Sequence, residues 1–126
     1  MYRVNFQNQT RKKKKYNNKS KVYTTTLYGT RTFDSIKEAN YCEELDWLLK
    51  AGEIKHYELQ PKIELRGLQG KRICNYFCDF LVILKDGTRE FHEVKGMILP
   101  LWNLKWKLTE QQIAIDEPET NLIVIK

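Results

Sequence analysis

The dipeptide Asp86-Gly87 does most to limit how this chain can fold. It separates a largely apolar run over residues 73–84 from a second extended segment over 89–95. A dipeptide of this kind between two strand-like runs is a strong hairpin signal. Upstream, residues 54–65 read as a strand interrupted at Pro61, which removes one ladder donor and suits an edge. Residues 67–70 then make a turn, and the run over 73–84 reads as the strongest strand in the chain. A helix is expected from Asp34 or Ser35, either of which can cap it, to about Ala51, where Gly52 stops it. A second helix is expected over residues 102–114, ahead of Pro118, and a final strand over 121–125. Residues 22–33 read as a short hairpin turning at Gly29.

A chain of 126 residues supports one hydrophobic core rather than two domains. Its net charge of +6 is unevenly spread. Residues 1–21 carry eight Arg or Lys and no acid, whereas the remainder carries fourteen basic and sixteen acidic side chains. The expected organisation is therefore a flexible basic arm over 1–21 and a single domain over 22–126. Such an arm reads as a polyanion contact, with Arg11, Lys12, Lys13, Lys14, Lys15, Lys19 and Lys21 on DNA phosphates. A solubilising or membrane-surface tail is the plainer alternative. No apolar stretch reaches membrane-spanning length, and the first twenty residues lack the apolar centre of a signal peptide. With an odd number of cysteines, three, the expected setting is a reducing cytoplasm.

Chemistry concentrates at Asp79 and, fourteen positions later, at Glu93-Val94-Lys95. Two converging carboxylates can hold Mg²⁺ or Mn²⁺, with the Val94 carbonyl as a further oxygen ligand. Lys95, two residues beyond Glu93, projects from the same strand face. A geometric demand follows. If Asp86-Gly87 formed a strict two-residue turn, Phe80 would pair with Glu93, and Asp79 and Glu93 would lie on opposite faces. A three-residue loop, or a bulge near Asp79, returns them to one face. The first helix adds Glu38, which shares an apolar stripe with Cys42, Leu45 and Leu49. A buried carboxylate needs a partner, so Glu38 is a candidate for the metal or a metal-bound water. Its alternative is local, as the far end of a capping box with Ser35.

The segments Phe33-Asp34-Ser35, Lys37-Glu38-Ala39, Leu59-Gln60-Pro61-Lys62, Asp79-Phe80 and Glu93-Val94-Lys95-Gly96 together resemble a family of small bacteriophage proteins. That family is an uncharacterised, DUF1064-like group within the PD-(D/E)xK nuclease superfamily, and it is similar to Holliday-junction-resolvase-like nucleases. The resemblance covers about residues 15–110. It implies a restriction-endonuclease-like αβββαβ core, a central mixed sheet flanked by helices. It also implies a Mg²⁺- or Mn²⁺-dependent deoxyribonuclease acting on branched or otherwise non-standard DNA, in a phage-infected or prophage-carrying host. Asp79 would take the motif aspartate position, Glu93 and Lys95 the (D/E)xK pair, and Glu38 the acidic residue of the first helix. Cys78 stands where the motif has proline. A two-fold dimer is expected from the function, since two strands must be cut.

Other residues read more plainly. Cys74, Cys78, His56 and His92 lack usual zinc spacing, and strand packing explains the cysteines better. His92 has the opposite parity to Glu93 and should face away from a metal. Trp102, Trp106, Thr109 and Ile113 form one helical face, with Lys105 and Lys107 as candidate phosphate contacts and one tryptophan as a candidate base stacker. The rivals to a nuclease are a non-catalytic nucleic-acid-binding module and a phage protein-interaction factor.

Overall fold

A computed structural model describes residues 19–126. The basic side chains Arg11, Lys12, Lys13, Lys14 and Lys15 lie outside these residues. The described part opens with an antiparallel hairpin, β1 (Lys21–Thr25) and β2 (Gly29–Phe33), turning at Gly29. Helix α1 (Ile36–Ala51) follows, with Ser35 as its N-cap. The Ser35 hydroxyl accepts from the Glu38 amide at 3.1 Å, satisfying one of the open donors at the helix start. Gly52, at φ 78°, ends the helix in the left-handed conformation that costs glycine least. Glu38, Ala39, Cys42 and Leu45 are the buried residues of α1, while Glu43 and Glu44 face solvent, as the stripe predicts.

Strands β3 (Ile54–Leu59), β6 (Phe80–Leu84), β7 (Arg89–Val94) and β8 (Asn121–Ile125) form a four-stranded mixed sheet in that spatial order. The first two pairings are antiparallel and β7 with β8 is parallel. The parallel pairing requires a crossover, which α2 (Pro100–Asp116) supplies, with Pro100 in its first turn. One cluster, on the α1 side, gathers Cys42, Leu45, Tyr57, Phe80, Val82 and Val94. The other gathers Leu81, Phe91, Cys78, Trp106 and Ile113 on the α2 side. Alternation along β6 and β7 divides the two. The protein is thus an α/β fold with helices on both faces of its sheet.

The run over 73–84 is not one strand. It divides into β5 (Arg72–Phe77), which pairs with β4 (Lys62–Arg66) in a separate two-stranded ribbon, and β6. Pairing nevertheless continues through the break. Leu59 opposes Phe80 and Lys62 opposes Phe77 in the same register. Between them the Gln60 amide donates to the Asp79 carbonyl at 2.9 Å, and the Cys78 amide to the Pro61 carbonyl at 3.1 Å. One long antiparallel ribbon therefore bends at Gln60-Pro61 and Cys78-Asp79. Gln60 takes a φ of 47°, a conformation unusual for a residue with a side chain. Across the bend the faces exchange. Even-numbered Phe80 and Val82 point to the α1 cluster, whereas even-numbered Cys74, Tyr76 and Cys78 point to the α2 cluster.

Candidate active site

The hairpin between β6 and β7 meets the geometric demand of the sequence. Its register pairs Phe80 with His92 and Ile83 with Arg89. The Leu84 amide donates to the Thr88 carbonyl, and the Gly87 amide to the Leu84 carbonyl. The loop is Lys85-Asp86-Gly87, three residues, with Gly87 at φ 91°. Asp86 Oδ1 accepts from the Thr88 amide at 2.9 Å, and the Thr88 side chain, followed by this amide, lowers the carboxyl pKa by hydrogen bonding. Carried one step beyond Phe80, the register sets Asp79 across from Glu93, on one face of the sheet.

Asp79 sits at the bend, where β6 stops supplying backbone acceptors to β7. Its carboxylate takes over, with Oδ2 accepting from the Val94 amide at 2.7 Å. Glu93 is 0% exposed and Asp79 2%. Lys95 Nζ lies 3.1 Å from Glu93 Oε2, and the same ammonium stands 4.6 Å from the centre of the Trp102 ring. Glu93 Oε1 accepts from the Tyr76 hydroxyl at 2.6 Å, and the Tyr76 oxygen accepts from Trp102 Nε1 at 2.9 Å. Burial, followed by the nearby Glu93 charge, pushes the Tyr76 phenol far above its ordinary value, so it remains a donor.

Glu38 comes from α1. It is buried on α1, the helix that packs against Phe80, Val82 and Val94, whereas Glu93 projects toward Tyr76 and α2. Lys37 Nζ donates to the Lys95 carbonyl at 2.9 Å, which sets the first turn of α1 beside the end of β7. Among the described residues no set of three or more His, Cys, Asp and Glu side chains is gathered around a cation position. Asp79, Glu93 and the Val94 carbonyl are hard oxygen donors of the type Mg²⁺ and Mn²⁺ take. A carboxylate has about four lone-pair directions, so the bonds from Tyr76 and Lys95 do not by themselves preclude a cation at Glu93. By donor chemistry the residues fit such an ion.

The remaining candidates fall as follows. Lys19 is exposed, while Lys21 opens β1 and donates to Asn40 Oδ1 at 2.7 Å. Lys107 is exposed on α2; Lys105 is half-buried and near enough to Cys74 to oppose the effect of burial on that thiol. His92 faces α1, where Nδ1 meets the Tyr41 hydroxyl at 2.6 Å and Nε2 meets Glu90 at 2.9 Å. The three cysteines are buried thiols, and burial raises Cys42 to about 12. Trp102 stacks on Trp106, with ring centres 5.5 Å apart.

Sequence reasoning missed Tyr76 and the role of Trp102 at Glu93. Alternation assigns Tyr76 to the face of Phe80, and only the bend carries its hydroxyl to the other side. The signal that could have found it was chemical: a phenol on a strand that packs inward must find a partner. No curated protein and no solved structure matches the chain. A family model does match, over residues 13–122. The chain belongs to the family described as "Protein of unknown function (DUF1064)".

Proposed function

We propose that this protein is a metal-dependent endonuclease of the PD-(D/E)xK type, acting on DNA, with branched or otherwise non-standard structures as its preferred substrates. The observation that carries this reading is the site register. Asp79 stands across from Glu93, and Lys95 pairs with Glu93 from the same strand. The order of α1, β3, β6, β7, α2 and β8 supports a restriction-endonuclease-like core, with the β4–β5 ribbon as an insertion. The bacteriophage origin implied by the sequence resemblance agrees with a role in DNA processing.

Asp79, Glu93 and the Val94 carbonyl would hold Mg²⁺ or Mn²⁺, with Glu38 contributing from the first turn of α1, beside the end of β7. When bound, the ion supplies positive charge at the phosphate and acidifies water. The chain's own residues do the rest. Tyr76 fixes one Glu93 oxygen and so orients its remaining lone pairs. Lys95, held between Glu93 and the Trp102 ring, provides a directed ammonium for charge developing on phosphate oxygens. The Val94 amide fixes the Asp79 carboxylate.

The test compares wild type, Asp79→Asn and Lys95→Ala on linear, nicked and branched DNA, with Mg²⁺ or Mn²⁺ and with chelator. Each substitution should reduce cleavage at least about 100-fold, and chelation should abolish it. Cleavage that ignores the chelator, or variants as active as wild type, would sink the proposal.

A further inference from the structure

The β4–β5 ribbon is a basic element on an acidic body. Residues 62–77 carry four Arg or Lys and one acid, while the other residues of 22–126 carry ten and fifteen. The order of residues hides this contrast, because both strands of the ribbon read there as parts of longer ones. Lys71 and Arg72 are exposed at its turn, and no acid occurs between Leu65 and Asp79. The turn is stiff. The Gly67 amide donates to the Lys71 carbonyl at 2.8 Å, and the Gly70 amide to the Gly67 carbonyl at 3.2 Å. Ile73 packs so closely on Gly67 that a β-carbon there would stand 3.1 Å from its Cδ1. On this turn Leu68 is 94% exposed. Arg66 braces the ribbon against α2, with Nη2 2.7 and 2.6 Å from the two Asp116 carboxylate oxygens.

We infer that the ribbon is a second DNA-binding element, one that grips the duplex flanking the cleavage site. Lys71 and Arg72 neutralise backbone phosphates, and Leu68 wedges against a base step in the groove those phosphates border. Charge selects the partner, since a stiff turn with two cations and no acid complements a polyanion. Position selects which part of the DNA. Strand β5 leads from the turn to the bend, so the ribbon is rooted at Asp79. Arg72 precedes Asp79 by seven residues, at most roughly 23 Å at the rise of a strand. That length is about seven steps of paired B-form DNA. The contact therefore falls on duplex to one side of the scissile phosphate. The inference rests on DNA as the substrate of the Asp79 and Glu93 site, but none of these three residues belongs to that site.

Fluorescence anisotropy of the full chain on branched DNA, with chelator present to keep cleavage out of the readout, tests it. The duplex arms are shortened in steps from about twelve to about four base pairs. Wild-type affinity should fall once the arms are shorter than about seven base pairs, whereas a variant with both Lys71→Gln and Arg72→Gln should not respond to that shortening. On long arms this double variant should show a salt dependence flatter by roughly 0.9 for each of the two phosphates. Leu68→Ala should bind roughly tenfold more weakly with an unchanged salt slope. If the double variant does not fold, each single substitution should give half its change in slope. An unchanged slope, a Leu68→Ala variant as tight as wild type, or a double variant that responds to arm length as wild type does overturns the inference. Wild-type cleavage in Mn²⁺ alongside any of these leaves the nuclease reading standing. The expected binding pattern without cleavage in Mn²⁺ supports the ribbon and sinks the nuclease, and a wild type that binds no DNA overturns both.

Discussion

Glu93 is held by two side chains with different tasks, and the difference can be measured. Lys95 supplies an ammonium to one oxygen and Tyr76 a hydroxyl to the other. Removing the ammonium with Lys95→Met leaves a carboxylate buried without its counter-charge, which costs about 3–5 kcal/mol. Tyr76→Phe removes one hydrogen bond to a charged group and should cost about 1.5–3 kcal/mol. Urea unfolding of both variants gives the comparison; equal and small losses would mean that neither partner supports Glu93. Asp79 behaves differently. In Asp79→Asn the amide oxygen can still accept from the Val94 amide, so stability should change by less than ~1 kcal/mol while cleavage disappears. At this scale the sequence showed which polar residues come together. Asp79, Glu93 and Lys95 are identified by their types and spacing, because strand parity is a local property. Tyr76 was not legible, since its place depends on a bend outside its own strand.

Among the elements, helix α1 was the most legible. Ser35 and Gly52 are chemical signals for a start and a stop, and both act within one turn of the chain. Strand β8 and the pairing of β6 with β7 were equally local. The bent ribbon was not. Pro61 indicated an interruption, but nothing in the apolar run over 73–84 marks where it leaves one sheet for another. The structure puts that point opposite Gln60, whose φ is 47°. A β-branched side chain tolerates this conformation poorly, so Gln60→Val should lower stability by about 1–2 kcal/mol, whereas Gln60→Gly should not. Thermal unfolding of the two variants separates the cases, and an equal loss in both would place the cost in the glutamine side chain instead.

For the whole molecule, one buried and two half-buried phenols and a buried thiol set the alkaline limit. Burial and the Asp46 carboxylate, which accepts from both hydroxyls, raise Tyr23 and Tyr57, and burial raises Tyr41 to about 12. Groups whose folded pKa lies above the unfolded value contribute stability below the unfolded value and lose it as pH rises through the folded one. The melting temperature should therefore be level near neutrality and fall from about pH 9 upward, where first the thiol and then the phenols of the unfolded chain ionise. A profile that stays flat to about pH 12 would show that these groups ionise as freely in the folded chain as in the unfolded one. Charge acts over the whole chain as well. Deleting residues 1–14 should weaken DNA binding and flatten its salt dependence by roughly 0.9 for each phosphate that the arm no longer neutralises. A weakening that ignores salt would assign the arm to folding.

Element types, caps, the parity of Glu93 with Lys95 and the charge of the arm can all be read from the order of residues alone. Each rests on neighbours within a few positions, where propensity and alternation act. The folded chain was needed for the three-residue loop that sets Asp79 across from Glu93, and for the exchange of faces that turns Tyr76 toward Glu93. It was needed as well to bring the first turn of α1, which carries Glu38, beside the end of β7, and to show one apolar face of α2 exposed among the described residues. These depend on how the ribbon bends and which layer covers which face. Pairing energy between residues distant in sequence fixes such choices, and no local pattern records it.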